Sequence, residues 1–362
     1  MSDTSAPDPG IVDWAIARRV GRVVAGTGYP IPLSHRPALR AQFAQLVGTA
    51  DRLVRDYTQL EPPEPAGTPV VFGRAGWIDA NIEGFRGLMR PVTEKIGQRT
   101  SGVTRKIGGA ALGVQMGILL GYLAQKVLGQ YDLLLAGGGK GKVYFVAPNI
   151  VAAEQRWELD GDDFRLWIAL HEVTHRTQFV AVPWLRDRVA SLIERYIGAV
   201  ELDPAKLRSA VSRLLDTLRK GPEAWKRANI MNIFLTPSQQ EVVGEMQSLM
   251  TVVEGHGNFV MDGVGAQKIP SFDRMKSSLA AQRQMAGAAE RTFQRAIGLD
   301  MKYQQYSRGE QFVAKVAEQA GMTGVNRLWE RPENLPTLEE LEKPSAWLAR
   351  VSPPESLERG AQ

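Results

Sequence analysis

The chain has 362 residues, 44% of them hydrophobic and 23% charged, with a formal net charge of +5. That is globular composition, long enough for a large core in one or two domains. Cysteine is absent, which excludes disulfides, thiol catalysis and cysteine-ligated zinc, so any zinc must be held by histidine and carboxylate.

The first ten residues hold no basic segment followed by an apolar core, so no secretion signal is read and a cytoplasmic protein is expected. Helical periodicity runs from Asp13 to Val23 and from Pro37 to Tyr57, with Pro37 suited to a first helical position. Pro62 to Pro69 is a Pro-rich loop, and Trp77 to Ile96 reads as helix broken near Pro91. Ile107 to Ala124 carries only Gln115 among apolar and small residues, with Gly109, Gly113, Gly117 and Gly121 spaced by four. Such a stripe permits close backbone approach. A buried core helix is the preferred reading over a membrane span, because no second span exists and Gln125 and Lys126 follow at once.

Ala136 to Lys142 resembles a phosphate loop only superficially, since Val143 stands where Ser or Thr must bind magnesium. Val143-Tyr144-Phe145-Val146 is the best strand, and Val70-Val71-Phe72 is a shorter one. The strand at 143–146 is expected to line a cleft and to pair with an extended peptide.

His171-Glu172-Val173-Thr174-His175 follows, a match to H-E-x-x-H. On a helix, residues four apart share a face, so both imidazoles can reach one metal while Glu172 addresses a water beside it. Only four histidines occur in the chain, and two fall in this motif. Asp160, Asp162 and Asp163 precede it as capping and first-turn acids, and Pro183 should stop the helix. Further helices are expected over Pro183–Val200, Pro204–Lys220, Pro237 to about Met261, Phe272–Ile297 and Met301–Ala320. Thr236-Pro237-Ser238-Gln239 reads as a capping box, and Gly263 as the helix end. The basic run from Lys206 to Arg227 has Trp225 as its one aromatic and is interrupted by Asp216 and Glu223. It reads as a solvated helix face, so no nucleic-acid partner is expected. The domains expected are a helical region 1–135, a catalytic region 136–331 and a tail 332–362 that is ordered if Trp347 and Leu348 dock.

A catalytic zinc takes three protein ligands and leaves a position for water. Glu254 is the preferred third ligand, because it adjoins the apolar stripe of its helix and a carboxylate there needs a partner. His256 is the rival, roughly 200° round a regular helix, with Gly255 and Gly257 able to open that turn, and Asp262 is a further candidate. Asn258 could hold a ligand by hydrogen bonding. Oxyanion donors are sought among His256, Tyr303, Tyr306 and Arg176; His35 is given no role. The reading is Zn2+ on His171, His175 and Glu254, with Glu172 as general base and His256 and Tyr306 in catalytic support, acting on a peptide or protein substrate. A non-catalytic helical protein that keeps zinc for stability or partner binding is the alternative.

These residues resemble the gluzincin arrangement of thermolysin-type metallopeptidases, with Asn258 where that group has an acid and a longer interval between His175 and Glu254. The chain is also similar to actinobacterial zincin-like hydrolases associated by context with coenzyme F420 biosynthesis. That likeness is carried by HEVTHRTQF at 171–179, the segment Val252 to Asp262, Gly298 to Phe312 and Trp329 to Pro336. The resemblance implies a mainly α fold: a zincin-like metallopeptidase core with a small β element and many additional helices. It implies no F420 site.

Overall fold

A computed structural model of the chain describes residues 12–97, 102–132, 141–198, 237–284 and 299–352. Among the described residues there are eleven α-helices and one three-stranded sheet, as the mainly α expectation requires. The basic run at 206–227, the helix at 204–220, the glycine-rich turn at 136–140 and Thr236 lie outside the described residues. The chain forms two compact units, residues 1–181 with 260–282, and residues 182–259 with 283–362.

The first unit starts with α1 (Trp14–Ala25), whose N-terminus is capped by the Asp13 carboxylate accepting from the Ile16 N–H at 2.9 Å. α2 (Arg36–Thr58), β1 (Val70–Phe72), α3 (Arg74–Gly97) and α4 (Gly102–Ala124) follow. The glycine stripe of α4 packs on α1. A Cβ on Gly117 would meet the Ala17 carbonyl oxygen and the Val20 Cβ, both at 2.7 Å. Ala17, Trp77, Ile78, Ile82, Leu120 and Val146 are buried together around this crossing. No helix of the described residues is long and apolar enough to cross a membrane.

β2 (Gly129–Tyr131) and β3 (Val143–Val146) complete the sheet in the order β1-β3-β2. β3 runs parallel to β1, with Val71 opposite Phe145, and antiparallel to β2, with Gln130 opposite Tyr144. Both edges of β3 are therefore used, and the expectation that it pairs with a peptide is corrected. The edge strands are β1 and β2, and β2, whose sequence lacks the β-branched signature, was not expected. Phe145 stacks on Phe43 of α2 with ring centroids 4.3 Å apart. α5 (Ala147–Trp157), α6 (Gly161–Ala181) and α9 (Phe272–Gln284) complete the unit.

In the second unit α7 (Pro183–Gly198) begins on a proline, as expected. Arg188 and Arg195 bind Glu245 at 2.6 and 2.8 Å, and the Arg195 hydrogen bond holds that carboxyl below its usual range. Glu245 belongs to α8 (Pro237–Lys268), one unbroken helix. Gly263, expected to close α8, instead lies inside it, in the part of α8 that belongs to the first unit, and a Cβ there would collide with the Tyr57 ring of that same unit. α10 (Leu299–Glu330) changes direction at Gly321, where φ is 65°, one residue beyond the expected end at Ala320. α11 (Pro344–Val351) docks through Trp347, which is fully buried, meets Phe312 edge to face at 5.3 Å and donates to the Asn334 carbonyl at 2.6 Å.

Gly117→Ala should lower stability by about 1–3 kcal/mol, because the contacting atoms are backbone and a packed valine. Gly108→Ala in the same helix meets nothing within 4 Å and should raise it by about 0.5–1 kcal/mol. Urea unfolding of both variants tests this; equal shifts would mean that α1 does not press on α4.

Candidate metal centre

α6 is fixed before its functional residues are reached. The Asp160 carboxylate accepts from the N–H groups of Asp162 and Asp163, both at 3.0 Å, and caps the helix. Arg165 grips Glu154 of α5 with two hydrogen bonds of 2.7 and 2.6 Å and donates to Gln42 of α2 at 2.6 Å. Asp163 accepts from the Ser271 N–H at 2.9 Å. From Glu172 to Phe179 every residue of α6 is buried, polar ones included.

The polar residues in that stretch each have an environment. His175 and His171 turn their Nε2 atoms toward each other at 3.1 Å, with ring planes 80° apart. Two nitrogens that each reach one zinc over about 2.0–2.1 Å stand about 3–3.5 Å apart, so the pair fits a shared ion. The Nδ1 of His175 lies 2.9 Å from the Gln178 Oε1, which makes Nδ1 the protonated nitrogen and leaves the Nε2 lone pair facing His171. Glu172 packs against β2, where a Cβ on Gly129 would meet its Cγ at 2.6 Å and its Oε1 at 2.8 Å. Only glycine leaves room for this carboxylate.

Glu254 is half-buried on α8. Ligand atoms of His171, His175 and Glu254 all lie within 4.8 Å of one another. Beside Glu254, Gly255 crosses Gly309 of α10 so closely that a Cβ on either would strike the other helix's backbone. These glycines serve close approach; α8 does not open there. Two imidazoles and a carboxylate are an N/N/O donor set that suits zinc and, with three protein ligands, leaves a position open.

The other expected residues are placed differently. His256 is fully buried, with its ring edge-on to Trp329 at 5.1 Å, and is not one of the residues gathered with His171, His175 and Glu254. Arg176 is turned away as well. Its guanidinium pairs with Asp51 at 3.4 Å and donates to the Glu64 and Pro65 carbonyls at 2.7 and 2.8 Å, so it clamps the Pro-rich loop. Burial pushes its pKa down. Asp262 pairs with Lys276, and Asn258 is half-buried without a described bond to either histidine. Tyr303 and Tyr306 stand on α10, with their side chains outside the described residues. His35 is exposed in a short 3-10 turn. Gln178 and Gly129 were missed by sequence reasoning. Gln178 had a signal, a polar residue one turn beyond His175 on a buried face; Gly129 had none.

A helix that aims two histidines at one point, with a buried glutamate between them in sequence, is the central element of the zincin class. A profile of the zincin-like metallopeptidase family matches residues 12–348, and the chain belongs to that family. It is also similar to a solved structure from Chloroflexus aurantiacus described as a "putative hydrolase with a novel fold", at 36% identity and a TM-score of 0.68, over 94% of this chain and 98% of that one. No match was found among curated proteins.

Gln178→Ala should weaken metal binding about 10–100-fold by freeing the His175 ring, with the fold retained. Competition against a chromophoric chelator measures this; unchanged affinity would remove Gln178 from the centre.

Proposed function

We propose that the chain is a zinc-dependent hydrolase that cleaves peptide bonds, with His171, His175 and Glu254 as metal ligands. The observation that carries the reading is the 3.1 Å approach of the two Nε2 atoms within reach of the Glu254 carboxylate. When bound, zinc would lower the pKa of a water toward about 7 and polarise the scissile carbonyl. Glu172 serves as general base: its carboxylate, fixed against Gly129, takes a proton from the attacking water and passes it to the leaving amine. The outer edge of β2, beside Glu172, offers backbone groups to an extended peptide, the part first sought in β3. Tyr306 is the proposed donor to the developing oxyanion. It stands three residues before Gly309, where α10 crosses α8 next to Glu254. The finer likeness to actinobacterial F420-associated proteins rests on sequence segments and adds no ligand to this reading.

Metal analysis and mutation test the proposal together. The wild-type chain should hold about one zinc after gentle purification or reconstitution. Glu172→Gln should keep that zinc and lose cleavage of a peptide library read by mass spectrometry, and Glu254→Ala should lose the zinc. A chain that takes up no metal sinks the zinc reading. Zinc retained for folding, with no difference between wild type and Glu172→Gln in any cleavage, would favour a structural zinc protein instead.

A further inference from the structure

A second site lies in the first unit, at the other edge of the sheet from Glu172. A cavity of about 670 Å³ opens beside β1, lined by Arg22, Arg36, Arg40 and Arg74 and by no acidic residue. Its apolar walls include Tyr29, Ile31, Leu39 and Phe72.

The four guanidiniums differ in their commitments. Arg22 is bound to Asp79 at 2.5 Å. Arg74 is held rigidly by two neutral acceptors, the Asn149 Oδ1 and the Ala25 carbonyl oxygen, each at 2.7 Å, and has no carboxylate partner among the described residues. Asn149 is itself anchored through the Ala124 and Val127 carbonyls at 2.8 and 2.7 Å. Gly28, at φ 74°, leaves space for Arg74, since a Cβ there would lie 2.9 Å from its Nε. Among the described residues the side chains of Arg36 and Arg40 have no hydrogen-bond or ion-pair partner.

This arrangement concentrates positive charge on a wall that holds no acid. Arg36 and Arg40 are like charges four apart in the first turns of α2, where the helix macrodipole already favours negative charge. α2, α3 and α5 all begin at the cavity wall, at Arg36, Arg74 and Ala147, with no acid in their first turns. A half-buried guanidinium without a counter-ion adds to the excess, and burial pushes the Arg74 pKa down. Three guanidiniums without a carboxylate partner exceed what one carboxylate would neutralise, and their free N–H groups suit contact with a phosphoryl dianion. The volume, within the range of about 300–1,000 Å³ for small-molecule sites, and the aromatic wall require more than the anion.

We propose that this cavity binds a small phosphate monoester with a flat apolar body, its phosphoryl group on Arg36, Arg40 and Arg74 and its body against Tyr29 and Phe72. The site is independent of the metal centre, so the two readings fail separately.

Isothermal titration of the full chain with 1-naphthyl phosphate tests the site, beside inorganic phosphate, 1-naphthol and 1-naphthoate. The naphthyl phosphate should bind saturably and more tightly than any of the other three. Arg36→Gln with Arg40→Gln should weaken it about tenfold or more, since each lost charged contact approaches a tenfold factor. Both residues are exposed, and an unchanged unfolding midpoint will show that the fold is intact. Arg74→Lys, which keeps the charge and loses the fork, should also weaken binding. No saturable binding at millimolar probe, or equal affinity in the double variant, overturns the site. Equal affinity for 1-naphthoate overturns its assignment to a phosphoryl group.

Discussion

A helix face that buries glutamate, histidine, threonine, arginine and glutamine in one continuous stretch is stable only if most of them find partners. Among the described residues the Thr177 hydroxyl has none, and partners for Thr174, His175, Arg176 and Gln178 come from the first unit or from α6 itself. An unsatisfied buried polar group costs about 1–3 kcal/mol, and an uncompensated charge more. Residues 172–178 of α6 would therefore destabilise the fold if left alone. Thr174 resolves its hydroxyl locally, donating to the Leu170 carbonyl at 2.7 Å. His175 uses Gln178 on the same helix. Arg176 draws in Asp51 and the carbonyls of the 64–65 loop, and Arg55 joins the clamp by donating to the Pro62 and Glu64 carbonyls at 3.1 and 2.8 Å. What first reads as a catalytic arginine thus has a structural task, to fasten a loop that has few backbone donors because it is rich in proline.

Close approach is the second device. Glu172 can sit against β2 only because residue 129 lacks a side chain, and α10 can cross α8 beside Glu254 only because residues 255 and 309 lack theirs. The glycines of α4 do the same for α1. In each place the absent side chain brings backbone within reach, and dispersion contacts replace the lost conformational economy of a helix-forming residue. The same reasoning applies to Gly255 and Gly263 inside the unbroken α8.

Residues that declare themselves by period or by local chemistry were legible in the sequence. The HEVTH helix and its Asp160 cap, the start of α8 at Pro237, the break after Ala320 and the docking of Trp347 all follow from nearby residues. Glu254 was legible because a carboxylate at the edge of an apolar stripe demands a counterpart. Partners set by tertiary placement were not. β2 is a strand because β3 offers it an edge, not because Gly129-Gln130-Tyr131 favours extension. Nothing local separates an arginine that faces a cleft from one that holds a loop. His256 had the chemistry of a ligand, and its burial against Trp329 depends on a helix some seventy residues away.

The sheet also bears on the electrostatics of the two proposed sites. The proposed centre for a divalent cation is disfavoured by guanidiniums nearby, and three arginines without a carboxylate partner lie in the unit that carries His171 and His175. At an effective dielectric near 20, two unit charges repel by about 4 kcal/mol at 4 Å and by under about 2 kcal/mol at 10 Å. The order β1-β3-β2 puts the arginine cavity beside one edge strand and Glu172 beside the other, and those two strands are two strand spacings or about 10 Å apart. Between them β3 contributes only buried residues, Val143, Tyr144, Phe145 and Val146, and the one acid close to it, Asp132, is engaged by the Tyr144 hydroxyl at 2.6 Å. A hydrophobic central strand therefore does more than fill the core. It separates the edge strand that packs on Glu172 from the edge strand that borders the arginine cavity.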